Sequence, residues 1–112
     1  GINYFKESKT CVLNSVDETD YYDDNLSNPN TVKYTLQGLE GDQNIDKNCN
    51  NNLLTKTEHI YLIRTVKENK KKLGYIWYGK YELIKEKTYT KKHPDINNNI
   101  RTIIIITLKK IM

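Results

Sequence analysis

At 112 residues the chain has room for one small domain with a modest core, and its greasiest run, Ile103 to Ile106, is far too short to cross a bilayer as a helix. One Phe and one Trp stand against nine Tyr, a skew that suits half-buried sheets and binding surfaces better than a large dry core. The net charge of +4 hides an asymmetry: residues 1–54 hold nine acids and four bases, residues 55–112 five acids and fourteen bases, so the second half carries the footprint of a polyanion binder or of plain lysine-rich loops.

Gly1 to Thr10 lacks the apolar core of a signal peptide, and the sequence does not open on Met, so a piece of a longer intracellular protein is expected, cytoplasmic in a bacterium or nuclear in a eukaryote, with no membrane partner. Gly1 to Lys9 reads as a loop, Thr10 to Asn14 as a short strand, and Asp17 to Asp20 as an acidic turn. The cluster Tyr21-Tyr22-Asp23-Asp24 follows, then a turn at Asn28-Pro29-Asn30. Thr31 to Leu36 alternates and is rich in β-branched and aromatic residues, which predicts a strand. Gly38-Leu39-Glu40-Gly41-Asp42 ends it, with glycines for a backbone path that other residues resist.

Ile45, Cys49 and Leu53 share one face at helical spacing, so Ile45 to Leu54 is read as a short, weak helix. His59 to Val66 and Tyr75 to Ile84 read as two strands of a hairpin with a lysine-studded tip, and Gly79 marks a bulge. Lys91 to Asn99 reads as a loop, and Ile100 to Leu108 as a last strand buried on both faces. Cys11 and Cys49 form no Cys-x-x-Cys pair and are expected as reduced thiols, with a single disulfide as the alternative; His59 and His93 have no metal spacing, so neither metal nor cofactor is expected. Five or so strands with one helix predict a small β-barrel or strongly curved sheet.

A hairpin about Asn28 to Asn30 brings Tyr21 to Asp24 against Tyr34 to Gln37. Two facing tyrosines with a carboxylate between them make a slot for a flat ring that bears an amino group, and cytosine fits that description. The spacing of Tyr21-Tyr22-Asp23-Asp24, Tyr34-Thr35-Leu36-Gln37-Gly38 and Gly41-Asp42 resembles the SRA, or YDG, domain, including its form in bacterial modification-dependent restriction proteins. Trp77-Tyr78-Gly79-Lys80-Tyr81 sits where that family has Tyr-Asp-Gly-x-Tyr, and Ile103 to Lys110 resembles its apolar closing strand. Leu36 replaces a family Gly, Tyr78 replaces the Asp of the signature, and Asp42 to Asn52 holds no Asn-Lys-Arg finger.

The resemblance implies one domain over residues 1–112, mainly β with minor α+β character: a PUA-like, SRA-like curved β-barrel with one short helix. It implies a non-enzymatic reader of duplex DNA that flips a 5-methyl- or 5-hydroxymethylcytosine into a pocket and works with an attached nuclease effector. Carried over by position, Tyr21 and Tyr34 sandwich the base, Asp24 accepts from its amine, the backbone at Thr35 completes the Watson–Crick edge, and Gln37 faces the C5 group. Leu36, Gly38, Gly41 and Asp42 form the pocket rim. Lys67, Lys70, Lys71, Lys72, Lys91 and Lys92 meet phosphates, which gives affinity without sequence reading. Two other readings stay open: a PUA-like RNA-binding module, which the same tyrosines and basic surface would serve, and a metal-dependent nuclease fragment using the Glu-x-Lys spacing of Glu68-Asn69-Lys70.

Overall fold

The structure is a computed structural model that describes residues 1–111. Its strands are β1 (Ile2–Phe5), β2 (Thr10–Val16), β3 (Thr31–Thr35), β4 (His59–Glu68), β5 (Lys71–Leu83), β6 (Tyr89–Pro94) and β7 (Ile100–Lys110), with one helix, α1 (Asn48–Thr55), and a 3₁₀ turn at Lys85–Lys87. They form a single sheet in the order β1-β2-β4-β5-β7-β3, with β6 added alongside β7. The sheet curls into a half-barrel, mainly β as the sequence predicts, and its two ends, β1 and β3, are not paired to each other.

Alternation explains most of the packing. Cys11, Leu13 and Ser15 of β2, and Ile60 and Leu62 of β4, are buried, and their neighbours along each strand are more exposed. β2 and β4 run parallel, Leu13 beside Leu62, while the other pairings are antiparallel. β7 has no alternation: Ile103, Ile105, Ile106 and Leu108 are fully enclosed in the middle of the sheet, where β3 pairs with one edge and β6 and β5 share the other. The central core gathers Leu13, Val32, Tyr34, Leu62, Ile106 and Leu108, and α1 adds Leu53.

Four local readings change, the first being the helix, which spans Asn48–Thr55 and leaves Ile45 outside it and exposed. Residues 2–5 are a strand, not a loop, because Ile2 to Phe5 pair with Leu13 to Thr10 and bury Ile2. Lys91 to Pro94 belong to β6 rather than to a loop, since the edge of β7 at Ile100 to Ile105 offers them a ladder. The charged stretch from Lys67 to Lys72 narrows to a two-residue turn, Asn69 and Lys70, both at positive φ (51° and 64°), with Lys67 facing Lys72 across the strands. The bulge expected near Gly79 is present: Leu62 pairs with Gly79 and Ile63 with Trp77, which leaves Tyr78 as the extra residue. Gly79 takes φ 108°, which a side chain would resist.

Candidate nucleic-acid interface

The acidic turn after β2 opens a cavity. The Asp17 N–H donates to the Thr65 carbonyl at 2.9 Å. Its carboxylate accepts two bonds from Arg64, Nε to Oδ1 at 2.7 Å and Nη2 to Oδ2 at 2.8 Å, which fixes both groups in one plane. The Arg64 hydrogen bond holds the Asp17 carboxyl below its usual range, with desolvation opposing. Glu18 turns the other way at φ 60°. Its carboxylate accepts the backbone N–H groups of Asn69 at 3.1 Å and Lys70 at 2.8 Å, so the tip of the basic hairpin docks on the cavity rim.

Asp24 is half-buried beside β3. Its Oδ1 accepts the Thr35 N–H at 2.7 Å and its Oδ2 the Ser15 hydroxyl at 2.7 Å, while the Asp23 N–H donates to Thr35 Oγ1 at 2.9 Å. Desolvation pushes the Asp24 carboxyl above its usual range despite the stabilising pull of those two bonds. Ser15, Asp17, Glu18, Tyr22, Asp24, Arg64 and Tyr78 are among the residues lining a cavity of about 460 Å³, room enough for a nucleobase. A carboxylate with further lone pairs and two aromatic side chains in one cavity can accept from an amine and pack on a flat ring.

The structure brings Asp24 and Thr35 together, as the hairpin about Asn28 to Asn30 predicts. Tyr21 packs edge-on against Tyr22, their ring centroids 4.8 Å apart and their planes at 68°. Tyr34 is placed differently. It is 2% exposed, shares the inward face of β3 with Val32, and its hydroxyl donates to the Gly1 carbonyl at 3.0 Å. Its ring is not among those lining the cavity, so the expected pair of facing tyrosines, Tyr21 and Tyr34, is not formed in this arrangement. Leu36 is fully buried next to it.

Gln37 has both backbone groups taken by Asn50 of α1: its N–H donates to Oδ1 at 2.8 Å and its carbonyl accepts from Nδ2 at 2.9 Å. With Gly38, Asp42 and Asn50 it lines a second cavity, of about 240 Å³. Gly41 takes φ 68°, its N–H donating to Asp95 Oδ2 at 3.1 Å, and Asp42 Oδ1 accepts the Thr102 N–H at 2.7 Å. The rim turn is therefore stitched to β7 and to the segment before it.

The lysines fall into two groups. Lys67, Lys70, Lys71 and Lys72 sit at the hairpin tip, with the Lys72 ammonium 4.6 Å from the Tyr75 ring centroid and 2.7 Å from its hydroxyl. On β6, Lys91 pairs with Asp23 at the cavity rim, and Lys92 donates to Thr102 Oγ1 at 2.7 Å. Glu68 ends β4 and Lys70 lies in the turn, its N–H committed to Glu18, so the Glu-x-Lys spacing falls on a hairpin tip. Among the described residues no group of three or more His, Cys, Asp or Glu is placed to hold a metal ion.

Sequence reasoning passed over Ser15, Tyr22, Arg64 and Tyr78. Ser15 had a signal, since it is the polar member of the inward series Cys11, Leu13, Ser15. Arg64 had one as well, as the lone base inside an apolar strand, but its partner Asp17 lies across a parallel pairing that no local pattern reveals.

A family model described as "ScoMcrA-like, SRA domain" matches residues 1–112. Among solved structures, the fold is similar to KRYPTONITE in complex with mCHG DNA and SAH, with a TM-score of 0.61 and 22% identity over 100% of this chain and 27% of that one. A second KRYPTONITE structure, with mCHH DNA, an H3(1-15) peptide and SAH, gives 0.62 and 23% over 99% of this chain and 27% of that one. The modification dependent TagI restriction endonuclease gives 0.65 and 20% over 99% of this chain and 41% of that one. The chain thus spans between about a quarter and two fifths of the length of those proteins. No curated protein matches the sequence. With its whole length matched, the chain belongs to the ScoMcrA-like SRA domain family.

Proposed function

We propose that this chain is a non-enzymatic reader of duplex DNA that takes a flipped 5-modified cytosine into the cavity at Asp24. The observation that carries the reading is the Asp24 carboxylate, held by the Thr35 N–H and the Ser15 hydroxyl where it joins Tyr22 and Tyr78 in one cavity. Family membership and the DNA named in the KRYPTONITE complexes support it.

Extruding a base costs a few kcal/mol of stacking and pairing. Stacking on an aromatic ring returns roughly 1–3 kcal/mol per base. Tyr22 and Tyr78 supply the rings in this arrangement, with Tyr21 buttressing Tyr22 and Tyr34 supporting Asp24 from the core. Asp24 accepts from the cytosine amine; a thymine carbonyl there would leave the carboxylate facing another acceptor, and the choice between the two bases follows. Gln37 lines the second cavity rather than that of Asp24, and it is the candidate for the C5 group on the family resemblance alone; an amide that both donates and accepts suits 5-hydroxymethylcytosine better than methyl. The six lysines at the hairpin tip and on β6 flank the cavity and grip phosphates. An effector, a nuclease as in the TagI enzyme, is supplied by another part of a longer protein or by a partner.

Fluorescence-anisotropy titration with duplexes that differ only by cytosine, 5-methylcytosine or 5-hydroxymethylcytosine at one position tests this. Tighter binding to a modified duplex, lost in Asp24→Asn, is the expected result. Equal binding to all three would reduce the domain to a basic surface, and RNA competing better than the modified duplex would turn the reading toward RNA.

A further inference from the structure

Arg101 begins the buried part of β7 and is 2% exposed, yet its guanidinium pairs with no carboxylate within ion-pair distance among the described residues. Its donors go to backbone carbonyls on two separate segments. Nη1 donates to the Gly38 carbonyl at 2.5 Å and to the Gly41 carbonyl at 3.2 Å; Nη2 donates to the Tyr21 carbonyl at 2.6 Å. Nε, also buried, has no partner. One planar cation therefore spans the Tyr21 segment and the Gly38 to Gly41 turn, the two stretches that frame Asp24 and Gln37.

Two contacts tighten the same join. The Gly38 N–H donates to the Tyr22 hydroxyl at 3.3 Å, and Asp95, 7% exposed, takes the Gly41 N–H from the other side. A buried charge is costly unless its surroundings satisfy it. Here three backbone carbonyls satisfy the two Nη groups, leaving only Nε without a partner, and they are held in return at a separation fixed by the width of the guanidinium. Lysine cannot reproduce that geometry, because its ammonium is a point charge without a rigid fork.

We propose that Arg101 is a positioning residue that sets the gap between the Tyr21 segment and the Gly38 turn, and through it the preference for one C5 group over another. The role rests on the reading of the site given above. Arg101 itself contacts no DNA; it acts through Tyr21, Tyr22 and the rim.

The test compares wild type with Arg101→Lys and Arg101→Met on duplexes carrying cytosine, 5-methylcytosine or 5-hydroxymethylcytosine, with thermal melting followed in parallel. Arg101→Lys is expected to melt cooperatively, to bind the unmodified duplex as wild type does, and to lose about tenfold of the preference for the modified one. Arg101→Met, which fills similar volume without donors, serves if the lysine variant does not fold, and is expected to lose the preference further. A merely structural arginine would weaken binding to all duplexes in proportion to lost folded protein, and that outcome overturns the proposal. So does wild-type preference in a folded variant. A wild type without any preference overturns the proposed function as well, and so separates the two failures.

Discussion

Asp17 and Arg64 stand 47 residues apart in the chain and meet in two parallel hydrogen bonds of 2.7 and 2.8 Å. The pair ties the acidic turn that opens the cavity to the strand leading into the basic hairpin. Asp17 is the partner whose folded pKa is depressed, so its contribution is present above the unfolded value of about 3.9 and is lost as pH falls through the folded value. Arg64 keeps about a third of its side chain in solvent, which limits the effect to about 1 kcal/mol. Asp17→Asn is expected to cost that much at neutral pH and to flatten the acid limb of the stability curve, read by urea titration between pH 2 and 7.

Asp24 has the opposite sign. Its folded pKa is raised by burial, so the favourable state for folding is the protonated one, present below the unfolded value and lost as pH climbs through the folded value. Binding is expected to run against stability in that window. If the carboxylate accepts the cytosine amine, affinity for the modified duplex rises as pH passes upward through the raised Asp24 pKa. Asp24→Asn keeps an acceptor for the Thr35 N–H, so it is expected to fold, to match or exceed wild-type stability at neutral pH, and to show no such rise. Anisotropy and melting across pH 4 to 8 check both halves.

Charge at the hairpin tip acts differently from chemistry at the cavity. Replacing Lys71 and Lys72 with Gln is expected to weaken modified and unmodified duplexes alike. The slope of log affinity against log salt should fall by about 0.9 for each lysine that meets a phosphate. A change in the ratio between the duplexes would mean that the tip reads the base.

Lys70 holds φ 64° in the two-residue turn, a conformation that favours glycine. Lys70→Gly leaves the N–H that donates to Glu18 and is expected to stabilise the domain by about 0.5–1 kcal/mol. At the other extreme, Ile106 is fully enclosed in β7, and Ile106→Ala is expected to cost about 2–5 kcal/mol. Denaturant midpoints of the two variants, measured side by side, should move in opposite directions.

The parts legible in the sequence are those set by local pattern. Alternation from His59 to Val66, the apolar run of β7 and the turn at Asn28 to Asn30 point to β4, β7 and the approach of Asp24 to Thr35. What stayed hidden depends on distant pairing. Ile2 to Phe5 look like a polar loop because their strand character comes from β2, and Lys91 to Pro94 because theirs comes from β7. Tyr34 illustrates the limit most plainly. Its place next to Thr35 is readable, but the face on which its ring lies depends on the inward face of β3, where Val32 and Leu108 meet.

The parallel pairing of β2 with β4 governs the order of assembly. It joins Val16 to Thr65, and the whole of residues 17–58 must loop out before it can close. The hairpin of β4 and β5 needs no such closure and forms early, whereas long-range pairing waits on the entropy of the loop. Every residue framing the cavity from Asp17 to Asp24, and the rim turn with it, lies inside that loop. On the proposed reading, base discrimination is expected to be acquired late on folding and surrendered early when β2 is weakened. A variant with a sound hairpin and a strained β2 is therefore expected to keep its salt-dependent grip on DNA while losing its preference for one cytosine over another.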